Sequence, residues 1–202
     1  MKLYDSKTAP NPRRVRIFLA EKGIAVPTVE VDIVKAENRG EEFRKKNDLG
    51  VLPVLELDDG TCIAESVAIC RYFEETNPEP PLMGTDARDR ALVEMWQRRM
   101  EFEVFVPMTQ VFRNLHPFFK GRIPQVPEWG EVNRNQAEKQ MSWLDRILAD
   151  RQFVAGDRYT IADITALCAI DFGRVSKIRI QPEQENLARW HAAVSARASA
   201  AA

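Results

Sequence analysis

The stretch VLPVLELDDGTCIAES, residues 51–66, sets two short alternating runs around Asp59–Gly60 and closes on Glu65 and Ser66. Asp-Gly between such runs is a hairpin signal. The spacing predicts a strand, a turn and a second strand, then a helix over SVAICRYFEE with Val67, Cys70 and Phe73 on one face. Pro53 stands out, because proline has no N–H for a sheet ladder and is confined to edges, strand heads and special turns. Only about 5–6% of X-Pro bonds in folded proteins are cis, yet the context here favours that form. A cis bond at Leu52–Pro53 would leave the Leu52 N–H and C=O pointing outward, and Ser66 is placed to cap the following helix. Open backbone accepts a peptide as an added strand, and a helix N-terminus favours a carboxylate. The combination suits a short peptide with a free terminal carboxylate. Ser66 also reads as a plain N-cap, and Glu65, set among apolar neighbours so that it looks buried, also reads as a solvated loop acid.

Upstream, Leu3 and Tyr4 begin a strand that stops in the loop DSKTAPNP. Val15, Phe18 and Leu19 form a helical stripe ended by Gly23, with Asn11 as N-cap and Pro12 at the first helical position. Val29, Val31 and Ile33 alternate with polar residues as in a half-buried strand. Residues 41–47 are charged and loop-like or weakly helical. The order is βαβ, then ββα. TNPEPPLMGT, residues 76–85, has three prolines and a glycine and cannot extend a helix or a sheet. It divides the chain into residues 1–77, a linker at 78–85 and a helical domain at 86–202.

In that second part Phe105, Met108, Phe112 and Leu115 form a buried helical stripe, and Pro107 is expected to kink the helix. Thr109, Arg113 and His116 share another face, either solvated or turned toward a site where His116 or Arg113 could hold a water or a substrate. Phe118, Phe119 and Trp129 are lining for apolar substrates or ordinary packing. Met141, Leu144, Ile147 and Leu148 make one later stripe, and Leu187, Trp190 and Val194 another. GDRYTIADITAL places Thr160 as N-cap with Asp163 at N3, a capping-box variant, and Tyr159 and Ile164 as its hydrophobic staple. Asp163 is therefore read as structural. The tail ARASAAA is expected to fray.

Composition narrows the class. The chain has 202 residues, 45% of them apolar, and 29 Lys and Arg against 30 Asp and Glu give a net charge of −1. No global field draws it to nucleic acid or an anionic membrane. There is no apolar leader and no run near the roughly 20 apolar residues of a membrane span, which points to the cytoplasm. Cys62, Cys70 and Cys168 read as reduced packing residues. His116 and His191 lack the neighbours of a zinc site, so no metal is expected.

The βαβ–ββα order, V-L-P-V-L-E, the D-G hairpin, the E-S pair opening a helix and the helical second half together resemble the cytosolic glutathione S-transferases over nearly the whole chain. The resemblance implies an α/β thioredoxin-like N-terminal domain followed by an all-α C-terminal domain. It implies glutathione as co-substrate, held by Leu52 and Pro53 through its cysteinyl backbone and by Glu65 and Ser66 at its γ-glutamyl end. It also implies conjugation of the thiolate to hydrophobic electrophiles, a role in detoxification and a homodimer. The C-terminal domain would supply the electrophile site, with Thr109, Phe112 and Arg113 as candidates. Most branches of the family place a Tyr, Ser or Cys beside the first helix to activate the thiol, and here Pro10 or Asn11 stands there. Asn11, or Thr8 or Ser6 by a loop shift, could donate to the sulfur, while Asn11 is equally a plain helix cap. The start P-x-P-x-R-V-R-I is similar to fungal and bacterial branches with an unusual catalytic residue. Val51 departs from relatives with a polar or basic residue at that place. Disulfide reduction or dehalogenation with glutathione, and a noncatalytic interaction module, stay open as alternatives.

Overall fold

The computed structural model describes all 202 residues, which form two compact units: Met1–Leu82 together with Ala201–Ala202, and Met83–Ala200. The break at 82–83 falls within the proline-rich stretch.

The first unit is built as β1 (Lys2–Asp5), α1 (Pro10–Glu21), β2 (Thr28–Glu30), a one-turn α2 (Glu41–Arg44), β3 (Val54–Glu56), β4 (Cys62–Ala64) and α3 (Ser66–Thr76). The sheet order is β2-β1-β3-β4, with β1 and β2 parallel and the other pairs antiparallel. The mixed pairing follows from the connections. A helix crosses between β1 and β2, while the Leu57–Thr61 turn joins β3 to β4, closed by Leu57 N–H to Thr61 O at 2.8 Å and opened at Gly60 with φ 88°. Alternation gives the sheet two buried faces. Tyr4 and Val54 lie with Val31, Phe43 and Leu52 on one, and Leu3 pairs with Leu55 in register on the other. Helices α1 and α3 pack on each other, and α3 packs on β3 and β4. Their buried stripes are Val15, Phe18 and Leu19 on α1 and Ile69, Cys70 and Phe73 on α3.

Two expectations for this unit are corrected. β2 is only three residues long and Val29 is exposed, because β2 is an edge strand; Val31 beyond it is the buried residue. Helix α1 starts at Pro10, with Ala9 as N-cap, so Asn11 is not the cap and Pro12 is not the first helical residue. Pro10 is itself pre-set for the first helical position and lacks the N–H that would go unpaired there, so it takes that place ahead of Pro12.

The second unit is helical: α4 (Ala87–Arg99), α5 (Val106–Leu115), α6 (Pro127–Leu148), α7 (Ile161–Gly173) and α8 (Glu185–Ser195). No helix in the chain is long and apolar enough to cross a membrane. Pro107 acts through its missing N–H. Between α4 and α5 the backbone widens into a π-helical segment, Met100–Phe105, whose last bond runs from Val106 N–H to Glu101 O. Such segments relieve the chain where proline breaks the i to i−4 ladder. Helix α7 is the centre of this unit, buried at every residue from Ile161 to Ile170, as a helix apolar all round must be. It starts on the capping box read from the sequence. The Asp163 carboxylate accepts the Thr160 N–H, the Val154 N–H and the Trp190 Nε1–H, each at 2.9 Å. Trp190 of α8 is thereby tied to the start of α7. Met141, Leu144, Leu148, Leu187, Trp190 and Val194 are buried. The last residues, expected to fray, form a 3-10 turn at Ala198–Ala201 with Ser199 buried.

Candidate functional site

The register of the first sheet collects the sequence-marked residues at one end. Val54 lies opposite Ala64 and opposite Tyr4, so Pro53 and Glu65 are the next residues out on β3 and β4. The loop after Asp5 and the start of α1 leave β1 at that same end. The Leu52–Pro53 peptide bond is cis, and neither the N–H nor the C=O of Leu52 has a hydrogen-bond partner within the chain. The approach to it is fixed. Asn47 Nδ2 donates to Val51 O at 2.9 Å, and Asn38 Nδ2 donates to Gly50 O at 2.6 Å. Gly50 has φ 60°, and a Cβ there would lie 2.6 Å from Asn38 O, so no other residue fits.

Across the hairpin, Glu65 is the N-cap of α3 at φ 68° and ψ 118°, outside the regions open to L-residues. It is exposed, not buried as its neighbours suggest. Ser66 is the first helical residue rather than the cap, 4% exposed, and its hydroxyl caps nothing. The first bond of α3 runs from Ile69 N–H to Glu65 O at 3.0 Å, so the N–H groups of Ser66, Val67 and Ala68 are open, as at any helix start. One turn of helix therefore offers unpaired donors, a hydroxyl and, one residue earlier, a carboxylate. That set complements a zwitterion carrying both an ammonium and a carboxylate.

The loop from β1 to α1 is pinned by Arg16, whose Nη1 meets both oxygens of the buried Asp5, at 2.7 and 2.9 Å, and whose Nη2 donates to Lys7 O at 3.3 Å. Thr8 is exposed in this loop and Ser6 is buried. Asn11 is the second residue of α1, half-buried, and its Oδ1 accepts from Arg14 Nη2 at 2.8 Å. The sequence reading does not single out Arg14, although two arginines near the start of a helix with no acid in its first turn run against the helix dipole. The Tyr4 hydroxyl does not compete for a ligand. It donates to Glu56 Oε2 at 2.8 Å, an oxygen that Lys46 Nζ also meets at 2.7 Å. Hydrogen bonds from Lys46, Tyr4 and Lys2 hold the Glu56 carboxyl down at about 2.

In the helical unit Phe112 is the hub of a ring cluster. Phe119 lies edge-on at 5.2 Å, Phe172 of α7 edge-on at 5.1 Å, Phe118 stacks at 6.2 Å and His116 is 4.6 Å away. Arg113 lies 5.4 Å from the Phe119 centroid and Arg122 4.3 Å from that of Phe118, cation–π distances. Phe105 and Met108 are buried, but Phe112 and Leu115 are only half-buried, because the stripe turns out of the core as the helix ends. Helix α5 is set close against α6 by Gly130, where a Cβ would stand 2.6 Å from Leu115 Cγ. Thr109 donates its hydroxyl to Val106 O at 2.8 Å. His116 lies beyond the end of α5, in extended backbone, so it does not continue the helical face of Thr109 and Arg113. Its Nδ1 accepts the Phe118 N–H at 3.2 Å, which leaves the proton of the neutral ring on Nε2, free to donate.

Comparison with known proteins gives the same picture in both halves. The model of the glutathione S-transferase N-terminal domain matches residues 3–81, and that of the C-terminal domain matches residues 128–198. Glutathione S-transferase 2 of Saccharomyces cerevisiae is 36% identical over 98% of this chain and 87% of its own length. The crystal structure of Gtt2 from the same organism superposes with a TM-score of 0.94 at 36% identity, covering 98% of each chain. A glutathione S-transferase domain-containing protein from Marinobacter aquaeolei is 40% identical with a TM-score of 0.92, covering 98% of this chain and 99% of its own. Similarity of this strength, carried along nearly the entire length, makes the chain a member of the glutathione S-transferase family, with a thioredoxin-like first unit and a helical second one.

Proposed function

We propose that the chain binds glutathione at the β3–α3 end of its first unit and transfers the thiolate to hydrophobic electrophiles held by the aromatic cluster of the second. The observation that carries this is the open Leu52 backbone pair beside an α3 start on which Glu65 is held at φ 68°. A strained residue that the fold retains points to a role for the site. Leu52 would pair with the cysteinyl backbone, with Pro53 fixing its direction. The γ-glutamyl carboxylate would meet the Ser66 hydroxyl and the open N–H groups, and its ammonium the Glu65 carboxylate.

The chemical task is to hold sulfur as thiolate at neutral pH, from a free thiol value of about 8.5. The positive end of α1 and the Asn11 amide are the groups we assign to it, with Thr8 of the pinned loop as a second donor. His116 Nε2–H would hold a water or the electrophile, Phe112 would supply the apolar wall, and Thr109 and Arg113 the rim. The reaction needs no metal. Half-exposed Leu92, Phe102 and Val106 along α4–α5 give the second unit apolar surface for a second copy, and we assign a homodimer. Three cysteines without a disulfide suit a reducing cytoplasm, where conjugation would serve detoxification.

The test is a titration of bound glutathione, following thiolate absorbance against pH for wild type and Asn11→Ala, beside conjugation of an aryl halide. Binding with a sulfur pKa below the free value, lost in Asn11→Ala together with turnover, supports the reading. Binding with an unshifted thiol would move the assignment to a noncatalytic module.

A further inference from the structure

We propose that the electrophile of the second unit is anionic: an aromatic body that packs against the rings around Phe112 and bears a carboxylate met by Arg113 and Lys120. The proposal rests on the assignment of that ring cluster as the electrophile site and adds to it the charge of the substrate. From Val104 to Pro127 the sequence holds no Asp or Glu, although the chain has 30 of them, and it holds Arg113, His116, Lys120 and Arg122. The same stretch supplies Phe112, Phe118 and Phe119. Two of its cations are fixed to the cluster by their own contacts. The Arg113 guanidinium lies 5.4 Å from the Phe119 centroid and that of Arg122 4.3 Å from the Phe118 centroid, and both rings lie against Phe112. Phe112, Phe118 and Phe119 are each half-buried, so ring surface stays open beside the charge. Guanidinium and ammonium groups carry donors only, and His116, with its Nδ1 taken by the Phe118 N–H, adds another in Nε2–H.

Ordinary stability accounts for one of these charges and not for the rest. Arg113 stands in the last turn of α5, where a cation complements the helix dipole. The carbonyls of that helix end are already served by Gln125, whose Nε2 donates to Arg113 O at 2.9 Å and to His116 O at 3.1 Å. Lys120 lies past the 3-10 turn Pro117–Phe119, and its ammonium makes no hydrogen bond or ion pair; Arg113 makes no ion pair either. Elsewhere on this unit exposed cations stand beside acids, Arg98 with Glu94 and Glu101, and Arg134 with Glu131. The acids that adjoin the cluster along the chain are otherwise placed. Glu103 accepts from Gln140, Asp171 beside Phe172 meets His191 and Arg174, and Glu128 sits in the first turn of α6. An unbalanced positive field beside apolar ring surface selects an anion with an apolar body over a neutral body of the same shape.

In conjugation the thiolate sulfur forms a bond to the ring carbon that bears the leaving group; chloride departs with the electron pair of its bond, and the thiol proton has already gone to solvent. A carboxylate elsewhere on the ring takes no part in that balance, so it serves as a probe. The experiment compares chlorodinitrobenzene with chlorodinitrobenzoate, each kcat/KM divided by the rate constant of its uncatalysed reaction with glutathione, and reads the ratio of the two. The expected ratio favours the benzoate by about threefold or more and drops by about threefold in Arg113→Met, the scale of one partly exposed ion pair. Lys120→Met is expected to lower it by a comparable factor, and salt raised to about 1 M to bring the wild-type ratio toward one. A wild-type ratio of one or below overturns the proposal, as does a ratio that neither variant changes, since a merely structural role lowers both rates alike. The wild-type ratio and its salt dependence need no variant, so a variant that fails to fold does not stop the test. Turnover of neither compound by a chain that binds glutathione would count against the electrophile assignment itself. The charge is then read from equilibrium binding of dinitrobenzoate and dinitrobenzene: tighter binding of the benzoate, weakened in Arg113→Met, supports the anionic ligand, and equal binding overturns it.

Discussion

Glu65 holds φ 68° and ψ 118° without being glycine, a conformation that costs on the order of 1–3 kcal/mol. Glu65→Gly removes that strain at the entropic cost of a glycine, about 0.5–1 kcal/mol. The expected result is a protein about 1 kcal/mol more stable to denaturant that binds glutathione roughly tenfold more weakly, having lost the carboxylate that meets the ammonium. Calorimetric titration beside urea unfolding reads both. Gly50 behaves in the opposite sense. Gly50→Ala forces φ 60° on an L-residue and sets its Cβ against Asn38 O, which should cost about 1–3 kcal/mol and loosen the loop that presents Leu52. At this scale the sequence was informative where the signal is local. The hairpin after Pro53 could be read directly, whereas the cap of α3 falls on Glu65, one place before the Ser66 that the sequence suggests. Asn11 was misplaced because Pro10 and Pro12 can each open a helix, and only the backbone shows which one does.

Helices α1 and α3, which carry the two halves of the proposed site, are joined at their far ends by a buried ion pair. Lys22 Nζ is 2.8 Å from Glu74 Oε2, and it donates to Asn77 O at 2.7 Å and Pro80 O at 2.8 Å. Removing one partner from such a pair leaves an uncompensated charge, so Lys22→Met should cost about 3–5 kcal/mol, and a Glu74→Met change in the same chain should recover much of it. A double-mutant cycle by denaturant unfolding checks this. The partners are more than 50 positions apart in sequence, and no local pattern announces them. The π-helical segment before Pro107 was legible only as a disturbance. The missing N–H is visible in the sequence, but the widened turn ahead of it, with Met100, Val104 and Phe105 buried, is not. The capping box of α7 could be read in full because all its members lie within four residues.

For the molecule as a whole, two carboxyls give the acid stability profile opposite slopes. Burial pushes Asp163 up to about 6, and its four hydrogen bonds offset only part of that effect. A folded value above the unfolded one means that the folded chain holds the proton longer. This contribution is full below about 4 and is lost as pH rises through about 6. Glu56, held at about 2, works the other way. Its contribution is present above about 4.5 and is lost as pH falls toward 2. Glu56→Gln should therefore flatten the loss of stability between about pH 4.5 and 2, and Asp163→Asn should flatten the decline between about pH 4 and 6. Thermal unfolding across the two ranges measures both slopes. Two-unit organisation was evident from the prolines at 78, 80 and 81 and from the change of periodicity. The aromatic cluster was less so, because Phe172 reaches Phe112 from a helix 60 positions downstream. The central claim is that glutathione lies at the end of the first sheet, and amide NMR of the labelled chain titrated with glutathione tests it most directly. The account predicts that the backbone signals of Leu52, Ser66 and Val67 move together and saturate while those around Thr160 stay in place. Saturable binding that leaves Leu52 and Ser66 unmoved would contradict it.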